Sequence, residues 1–187
     1  MRTSGCLLAL TLIASSCHNA DPQAQHRIKP QYDAKSGRLK LLEYDANGNG
    51  IVDTWSYMDG PRVVRIEIDS DEDGKIDRWE YYDAGQHLEK VGLSRLNNGK
   101  PDTWQFFNSD GSLARVELSR GQEGRVARVE HYEHGRMVSA EEDTDGDGRI
   151  DKWETYDGDR LASVAFDPDH RGTATRRLLY APDGTGR

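Results

Sequence analysis

Aspartate residues at alternate positions mark two short stretches of the chain. Residues 143–151 read D-T-D-G-D-G-R-I-D, and residues 69–77 read D-S-D-E-D-G-K-I-D. Carboxylates at positions 1, 3, 5 and 9, with a glycine at position 6 that lets the backbone turn sharply, are typical of a calcium loop. Because calcium takes roughly six to eight oxygen ligands, the backbone carbonyl at position 7 and water would complete the set. The spacing therefore predicts two calcium sites.

The predicted calcium ligands follow from these positions. In the two acidic loops they are Asp143, Asp145, Asp147, Arg149 and Asp151, and Asp69, Asp71, Asp73, Lys75 and Asp77. A weaker third site is predicted at Asp45, Asn47, Asn49 and Asp53, where two neutral amides replace carboxylates. A further loop opens at Asp167 but has His170, Arg171 and Thr175 in place of its remaining acids, so we expect no ion there.

The loops belong to an internal repeat. Their glycines are 24 or 25 residues apart, at Gly50, Gly74, Gly99, Gly124, Gly148 and Gly172. A second turn punctuates each copy, at Asp59-Gly60, Ala84-Gly85, Asp110-Gly111, His134-Gly135, Asp157-Gly158 and Asp183-Gly184. Aspartate-glycine between alternating apolar residues indicates a β-hairpin. We therefore predict an all-β fold, an elongated antiparallel meander or solenoid-like stack of about six β-hairpin repeats within residues 31–187.

The residues after each loop decide between strands and helices. Trp55, Trp79, Trp104 and Trp153 follow their loop glycines by five residues and are predicted to be core residues. Position 12 holds Glu80 and Glu154 in the acidic loops, where an EF-hand has a calcium-binding glutamate. Glu130 occupies the same position in a copy without the acids, so we expect these glutamates to be outward strand residues. A helical calcium-binding protein with EF-hand-like or dockerin-like units stays open as an alternative.

The repeat resembles known repeat families in each of its halves. The hairpin half, as in W-E-T-Y-D-G-D-R-L, resembles the repeats of the MORN type and the bacterial Y-D repeats. The loop half, D-x-D-x-D-G-x-x-D, is similar to the calcium loops of integrin-type propellers and of thrombospondin type 3 repeats. The resemblance to bacterial hairpin repeats implies a protein partner, and an antitoxin-like or immunity-like role is one expectation from it.

The N-terminus has the layout of an export signal. Arg2 precedes an apolar run over residues 7–14, which is too short to span a bilayer, and A-S-S-C follows at residues 14–17. This resembles a bacterial lipoprotein signal, which implies cleavage after residue 16, lipidation of Cys17 and a membrane anchor, with His18 favouring the outer membrane. We interpret residues 17–30 as the lipidated cysteine and a polar tether. The remaining cysteine, Cys6, lies in the signal, so an exported mature chain would have no internal disulfide, and bound metal is a candidate staple.

Composition and motifs narrow the classes of function. A formal net charge of −8 disfavours nucleic acid as a partner and suits cations. The chain has no nucleophile elbow, phosphate-binding glycine loop or H-E-x-x-H motif, and His131 and His134 are expected to be surface residues. The sequence therefore favours a non-enzymatic, lipid-anchored calcium-binding repeat protein of the cell envelope, with a structural or protein-interaction role.

Overall fold

The described part of the chain folds as a single antiparallel β-sheet. The computed structural model describes residues 27–121 and 124–181, and within them the thirteen strands lie in the sheet in sequence order. The prediction of an all-β meander is therefore confirmed. The strands are β1 (Ile28–Tyr32), β2 (Leu39–Tyr44), β3 (Thr54–Asp59), β4 (Arg62–Ile68), β5 (Arg78–Tyr82), β6 (Leu88–Leu93), β7 (Thr103–Phe107), β8 (Leu113–Ser119), β9 (Val126–Glu133), β10 (Arg136–Glu142), β11 (Lys152–Asp157), β12 (Arg160–Phe166) and β13 (Arg176–Leu179).

Two kinds of connection alternate along the sheet. Tight turns join β3 to β4, β5 to β6 and their counterparts, and the recurring loops join β2 to β3, β4 to β5 and so on. Because each strand reverses direction, all of the recurring loops lie at one end of the strands, which we call the loop end. The loop end carries residues 45–53, 69–77, 94–102, 143–151 and 167–175, and the described part of 119–127. The turn predicted at Asp183-Gly184 lies outside the described residues.

A row of paired residues crosses the middle of the sheet. Position 12 of each copy before the last pairs with apolar residues on both neighbouring strands, so that Glu80, Glu130 and Glu154 alternate with aliphatic side chains. Val91, Val116, Ala140 and Val164 are buried in this row, with at most 8% of each residue exposed. With the described strands in one layer, this row takes the place of an inter-layer core.

The tryptophans occupy the opposite face, because adjacent residues of a strand point to opposite sides of the sheet. The tryptophans, which the sequence predicts to be core residues, are half-buried on this face. Long cationic side chains cover the aromatic rings on this face: the Lys90 ammonium lies 5.0 Å from the Trp104 ring centre, and the Arg115 guanidinium lies 4.3 Å from that of Phe106. Such stacking shields aromatic surface while the charge stays hydrated.

The glutamate at position 12 corrects one expectation from the sequence. Glu154 is 8% exposed and does not face solvent as an outward strand residue. It accepts hydrogen bonds from Arg128 at 2.7 Å and from Tyr156 at 3.0 Å, and lies 2.7 Å from the Lys152 ammonium. Burial alone raises the pKa of Glu154, but these partners outweigh it and lower the pKa to about 2. These contacts hold Glu154 within the sheet, and its exclusion from the calcium ligands stays a prediction.

Strands, not helices, flank every described loop, so the described chain contains no helix-loop-helix unit. A helix long and apolar enough to cross a membrane is likewise not found among residues 27–121 and 124–181. The predicted signal peptide and Cys17 lie outside the described residues.

Candidate metal-binding loops

A shared set of hydrogen bonds shapes the loops. The carboxylate at position 1 accepts a hydrogen bond from the backbone N–H of the glycine at position 6. This bond measures 2.8 Å from Gly50 to Asp45, 2.9 Å from Gly74 to Asp69, 2.8 Å from Gly148 to Asp143 and 2.6 Å from Gly172 to Asp167. All six loop glycines have positive φ, between 70° and 94°, a conformation that glycine adopts without a steric penalty. The repeated glycine is thus explained by the turn.

The aspartate at position 9 closes each acidic loop. Its carboxylate accepts the backbone N–H of position 2, at 2.8 Å for Asp53 with Ala46, 2.8 Å for Asp77 with Ser70 and 3.1 Å for Asp151 with Thr144. The aspartates at positions 1 and 9 are also mostly buried, including Asp69 at 4%, Asp143 at 2% and Asp167 at 1% exposed. The loops therefore bury negative charge at the loop end of the sheet.

Three predicted ligands converge in the 69–77 loop. Carboxylate oxygens of Asp69, Asp71 and Asp77 lie within 4.8 Å of one another. Oδ2 of Asp69 is engaged with Gly74, but Oδ1 is buried and has no hydrogen-bond partner. An unpaired buried carboxylate oxygen is costly, and buried charges are ordinarily paired or bound to a metal. This unpaired oxygen is therefore available as a ligand for a cation.

The fourth predicted carboxylate of this loop is engaged elsewhere. Asp73 lies 2.6 Å from the Lys75 ammonium, and this hydrogen bond is the main reason that the pKa of Asp73 is lowered. Lys75 was predicted to contribute only its backbone carbonyl. Its side chain also donates a 3.3 Å hydrogen bond to the carbonyl oxygen of Asn97 in the next loop. Lysine therefore neutralises part of the charge in the most acidic loop.

The 143–151 loop gathers a different trio. Asp143, Asp145 and Asp147 have oxygens within 4.8 Å of one another, whereas Asp151 is grouped with Asp145 and His170. Burial raises the pKa of Asp143, but hydrogen bonds from the backbone N–H groups of Gly148 and Gly146 outweigh it and lower the pKa. The carboxylate is thus held ionised, as a cation ligand must be. Arg149, predicted to ligate through its carbonyl, donates its N–H to Asp147 at 2.8 Å.

The 45–53 loop satisfies its polar groups within the protein. Asp45 accepts N–H bonds from Gly48, Asn49 and Gly50, which lower its pKa against the raising effect of burial. The side-chain amides of Asn47 and Asn49 donate hydrogen bonds of 2.6–2.9 Å to the Glu72 carboxylate of the next loop. The lower calcium affinity expected of this site stays a prediction.

Contacts between neighbouring loops follow a rule that the sequence reading missed. In three loops the residue at position 4 reaches back to positions 3 and 5 of the preceding loop: Glu72 meets two asparagines, Asn97 donates to Asp71 and Asp73, and His170 lies beside Asp145 and Asp147. Glu72, Asn97 and His170 have positive φ of 59°, 47° and 51°. Comparing position 4 with the preceding loop would have revealed the complementary side chains.

The histidines near the hairpin turn form no comparable cluster. His131 lies 3.8 Å from Glu141 on the sheet, and His134 occupies a turn with φ of 50°. Within the described residues, neither belongs to a group of three potential metal ligands.

Comparisons with known proteins give no assignment. No family model matches the chain, and no curated protein matches it. Among solved structures, it is similar to a mutant of S. aureus TarM in complex with fondaparinux, alpha-GlcNAc-glycerol and UDP, with a TM-score of 0.40 and 10% identity over 50% of this chain and 18% of that one. A second structure of TarM gives 0.40 and 12% identity over 49% and 17%.

A third structure, of accessory secretory protein 1, 2 and 3 in Streptococcus pneumoniae, gives a TM-score of 0.27 and 11% identity over 76% of this chain and 19% of that one. The chain thus spans less than a fifth of the length of each of these proteins. All three TM-scores lie below 0.5, so the likenesses carry no argument about function.

Proposed function

We propose that the chain is a non-enzymatic calcium-binding repeat protein, anchored by lipid at Cys17 to the cell envelope, with a structural or protein-interaction role. The observation that carries the calcium part is the buried, unpartnered Oδ1 of Asp69 in a cluster with Asp71 and Asp77. The anchor and the envelope location rest on the N-terminal sequence pattern.

The chemistry of the cluster favours calcium. Every side-chain ligand is a carboxylate oxygen, and such hard donors suit a hard cation of flexible coordination number. The loop is open to water, since Asp71 is exposed, so solvent would complete the coordination shell. Extracellular sites of this kind typically have dissociation constants of about 10⁻⁴ to 10⁻³ M, so they would be filled outside a cell and act as permanent staples.

The staple fits the architecture of the sheet. Within residues 27–121 and 124–181, each hairpin pairs only with its sequence neighbours. The backbone N–H of Asp69 donates a 2.9 Å hydrogen bond to the carbonyl oxygen of Asp53, at position 9 of the preceding loop. A cation that holds the 69–77 loop in place therefore also holds the end of the strand pairing between this copy of the repeat and the preceding copy. An exported chain without disulfides needs such support, and a stiff, extended sheet offers a long surface to a protein partner.

The test is calcium-dependent unfolding and calorimetric titration of the full chain. At 10 mM calcium, each filled site with the affinity given above adds roughly 1.4–2.7 kcal/mol to the free energy of unfolding. The D69N variant should lose one bound equivalent, because the amide removes the charge and one ligand oxygen. Asp159→Asn, in an exposed turn at the opposite end of the strands, is the matched control. Equal calcium binding by D69N and the parent chain would contradict the proposal.

The anchor requires a separate measurement. Expression in a bacterial host with labelled palmitate should label the parent chain and leave C17S unlabelled, since the acyl and thioether linkages need the thiol. Fractionation of the envelope then reports the membrane. A chain that stays unlabelled and soluble would remove the lipid part of the proposal and leave the calcium part standing.

A further inference from the structure

The last loop brings an imidazole to the acidic loop before it. Nε2 of His170 lies 3.6 Å from Oδ2 of Asp145, and Nδ1 lies 3.5 Å from Oδ2 of Asp147. Ligand atoms of Asp145, Asp151 and His170 all fall within 4.8 Å of one another. Two ligands of a tetrahedral zinc ion are about 3.3–3.4 Å apart, because each bond is about 2.0–2.1 Å long. The three side chains are therefore close to a metal-binding arrangement.

The space between the two loops is suited to an ion. A cavity of about 260 Å³ lies there, and Asp145, Asp151, Asp167 and His170 are among the residues that line it. Asp167 is 1% exposed, and its Oδ1 is buried without a hydrogen-bond partner. A buried carboxylate oxygen without a partner, on a residue that lines the cavity, favours the binding of a cation there. This oxygen is an observation independent of the three converging ligands.

We propose that this cavity binds a divalent transition-metal ion of the zinc class, held by Nε2 of His170 and by the carboxylates of Asp145 and Asp151. Imidazole nitrogen suits zinc, nickel and copper, whereas calcium takes oxygen ligands almost exclusively. Three protein ligands leave a fourth position for water. The site joins the last two loops and so secures the C-terminal end of the sheet.

The remaining nitrogen of the ring supports this assignment. When Nε2 ligates the metal, Nδ1 carries the proton and faces the Asp147 carboxylate. Metal-binding histidines usually donate their other N–H to a carboxylate or carbonyl, which fixes the tautomer and the ring orientation. Asp147 is thus a positioning residue for this site, while Asp145 and Asp151 are ligands.

The other copies show why this chemistry is restricted to one pair of loops. At position 4, Glu72 and Asn97 reach back to the preceding loop as His170 does. They present a carboxylate and an amide group, and neither side chain has the imidazole nitrogen that suits zinc. Because Asp145 also belongs to the predicted calcium trio, zinc and calcium would compete for it. The zinc ligands are complete without calcium, so the inference stands apart from the proposed function.

The decisive experiment is equilibrium dialysis of the full chain against Zn²⁺, repeated for His170→Asn. Asparagine tolerates positive φ, and Asn97 already occupies the equivalent position, so the backbone should be retained. We expect one zinc equivalent in the parent chain and at least a tenfold weaker affinity in H170N. His134→Asn is the matched control, because His134 also has positive φ, at 50°, and it should bind zinc like the parent.

Cobalt substitution supplies an independent readout. Co²⁺ in the parent chain should give visible d–d absorption that changes on the H170N substitution and persists in H134N. No zinc binding, zinc binding unchanged in H170N, or equal losses in both variants would each overturn the proposal. Calcium titration of H170N separates the two proposals: H170N should still bind calcium at the 69–77 loop, and D69N should still bind zinc.

Discussion

The neighbouring loops at 69–77 and 94–102 have the same turn geometry but differ in the acidic residues that could bind a cation. Gly74 and Gly99 both have positive φ, at 86° and 74°, and both loops end in an aspartate, Asp77 and Asp102, whose carboxylate accepts a backbone N–H from the start of the loop. The acidic loop collects three carboxylates. The other begins with Ser94, whose Oγ accepts the backbone N–H of position 5, Asn98, at 3.1 Å.

The second loop carries its own cation. Nε of Arg95 donates to Oδ1 of Asp102 at 3.0 Å, in a copy that has lost the other acids. A tethered guanidinium balances the one remaining buried carboxylate, so this loop needs no ion from solution. The difference teaches that the glycine and the closing aspartate build the turn, and that the acids at positions 1, 3 and 5 add cation chemistry to a turn that forms without them.

Removing the closing aspartate should produce the largest effect. Asp102 is 4% exposed and accepts hydrogen bonds from Arg95, Leu96 and Thr103. Asp102→Ala leaves those donors without a partner, and we expect a loss of about 2–4 kcal/mol in the free energy of unfolding. Urea denaturation should give the same loss with and without calcium. A loss that depends on calcium would show that the turn and the cation chemistry are not separable.

Low pH should remove the stabilisation that the Asp102 carboxylate provides. Burial raises the pKa of Asp102, but hydrogen bonds from Arg95 and Leu96 outweigh it and lower the pKa below its ordinary value. A lowered folded-state pKa means that the stabilisation is present above about pH 4 and is lost as the pH falls through the folded-state pKa. The stability difference between the parent chain and Asp102→Asn should therefore shrink below about pH 4. A difference that stays constant down to about pH 2 would contradict this assignment.

Grafting the acids tests whether they are sufficient for binding. The triple variant Ser94→Asp, Leu96→Asp and Asn98→Asp gives the second loop the acids of positions 1, 3 and 5, and Leu96 is 55% exposed, so its replacement costs little apolar burial. We expect one additional calcium equivalent and about 1.4 kcal/mol of added stability at tenfold the dissociation constant. The double variant Ser94→Asn and Leu96→Asn, which together with the native Asn98 places asparagine at all three positions, is the neutral control. An acid graft that binds no extra calcium would mean that Arg95 blocks the site.

The turn glycines should behave alike in the two loops. Alanine at Gly74 or Gly99 must adopt positive φ, at a cost of about 1–2 kcal/mol. The loss should be somewhat larger for Gly99→Ala, because its Cβ would lie 3.3 Å from Cβ of Lys75, whereas Gly74 has open space. Parallel urea titrations of both variants measure this. A substitution without cost in either loop would contradict the shared turn.

Features that repeat along the chain could be predicted from the sequence. The regular spacing of the glycines predicts where the turns lie, and the alternating apolar residues predict the strands between them. Together they predict the order of the hairpins. The proximity of carboxylates at positions 1 and 3 also follows from loop spacing alone. Both were found, in the Asp69 cluster and in the Asp143 cluster.

Contacts that depend on the register between copies could not be predicted in this way. Glu72 meets Asn47 across 25 residues, and Glu154 meets Arg128 across 26, so both depend on how successive hairpins align. The spacing of residues within one copy also could not show that Asp73 would form an ion pair with Lys75 and lie outside the carboxylate cluster. The contacts between loops could be predicted by comparing position 4 of each copy with positions 3 and 5 of the preceding copy.

The smallest effect should come from the link between the two loops. The side-chain amide of Asn97 donates to Asp71 at 2.9 Å and to Asp73 at 3.3 Å, all at exposed positions. Asn97→Gly removes these bonds without backbone strain, because glycine accepts positive φ, and should cost about 0.5 kcal/mol. Asn97→Ala should cost about 1 kcal/mol more, since alanine must also adopt the left-handed conformation. Urea titration of the two variants separates the side-chain contribution from the backbone contribution. Equal losses of stability in both variants would show that the backbone at position 4 is not strained. The link between the loops would then depend on the Asn97 side chain alone.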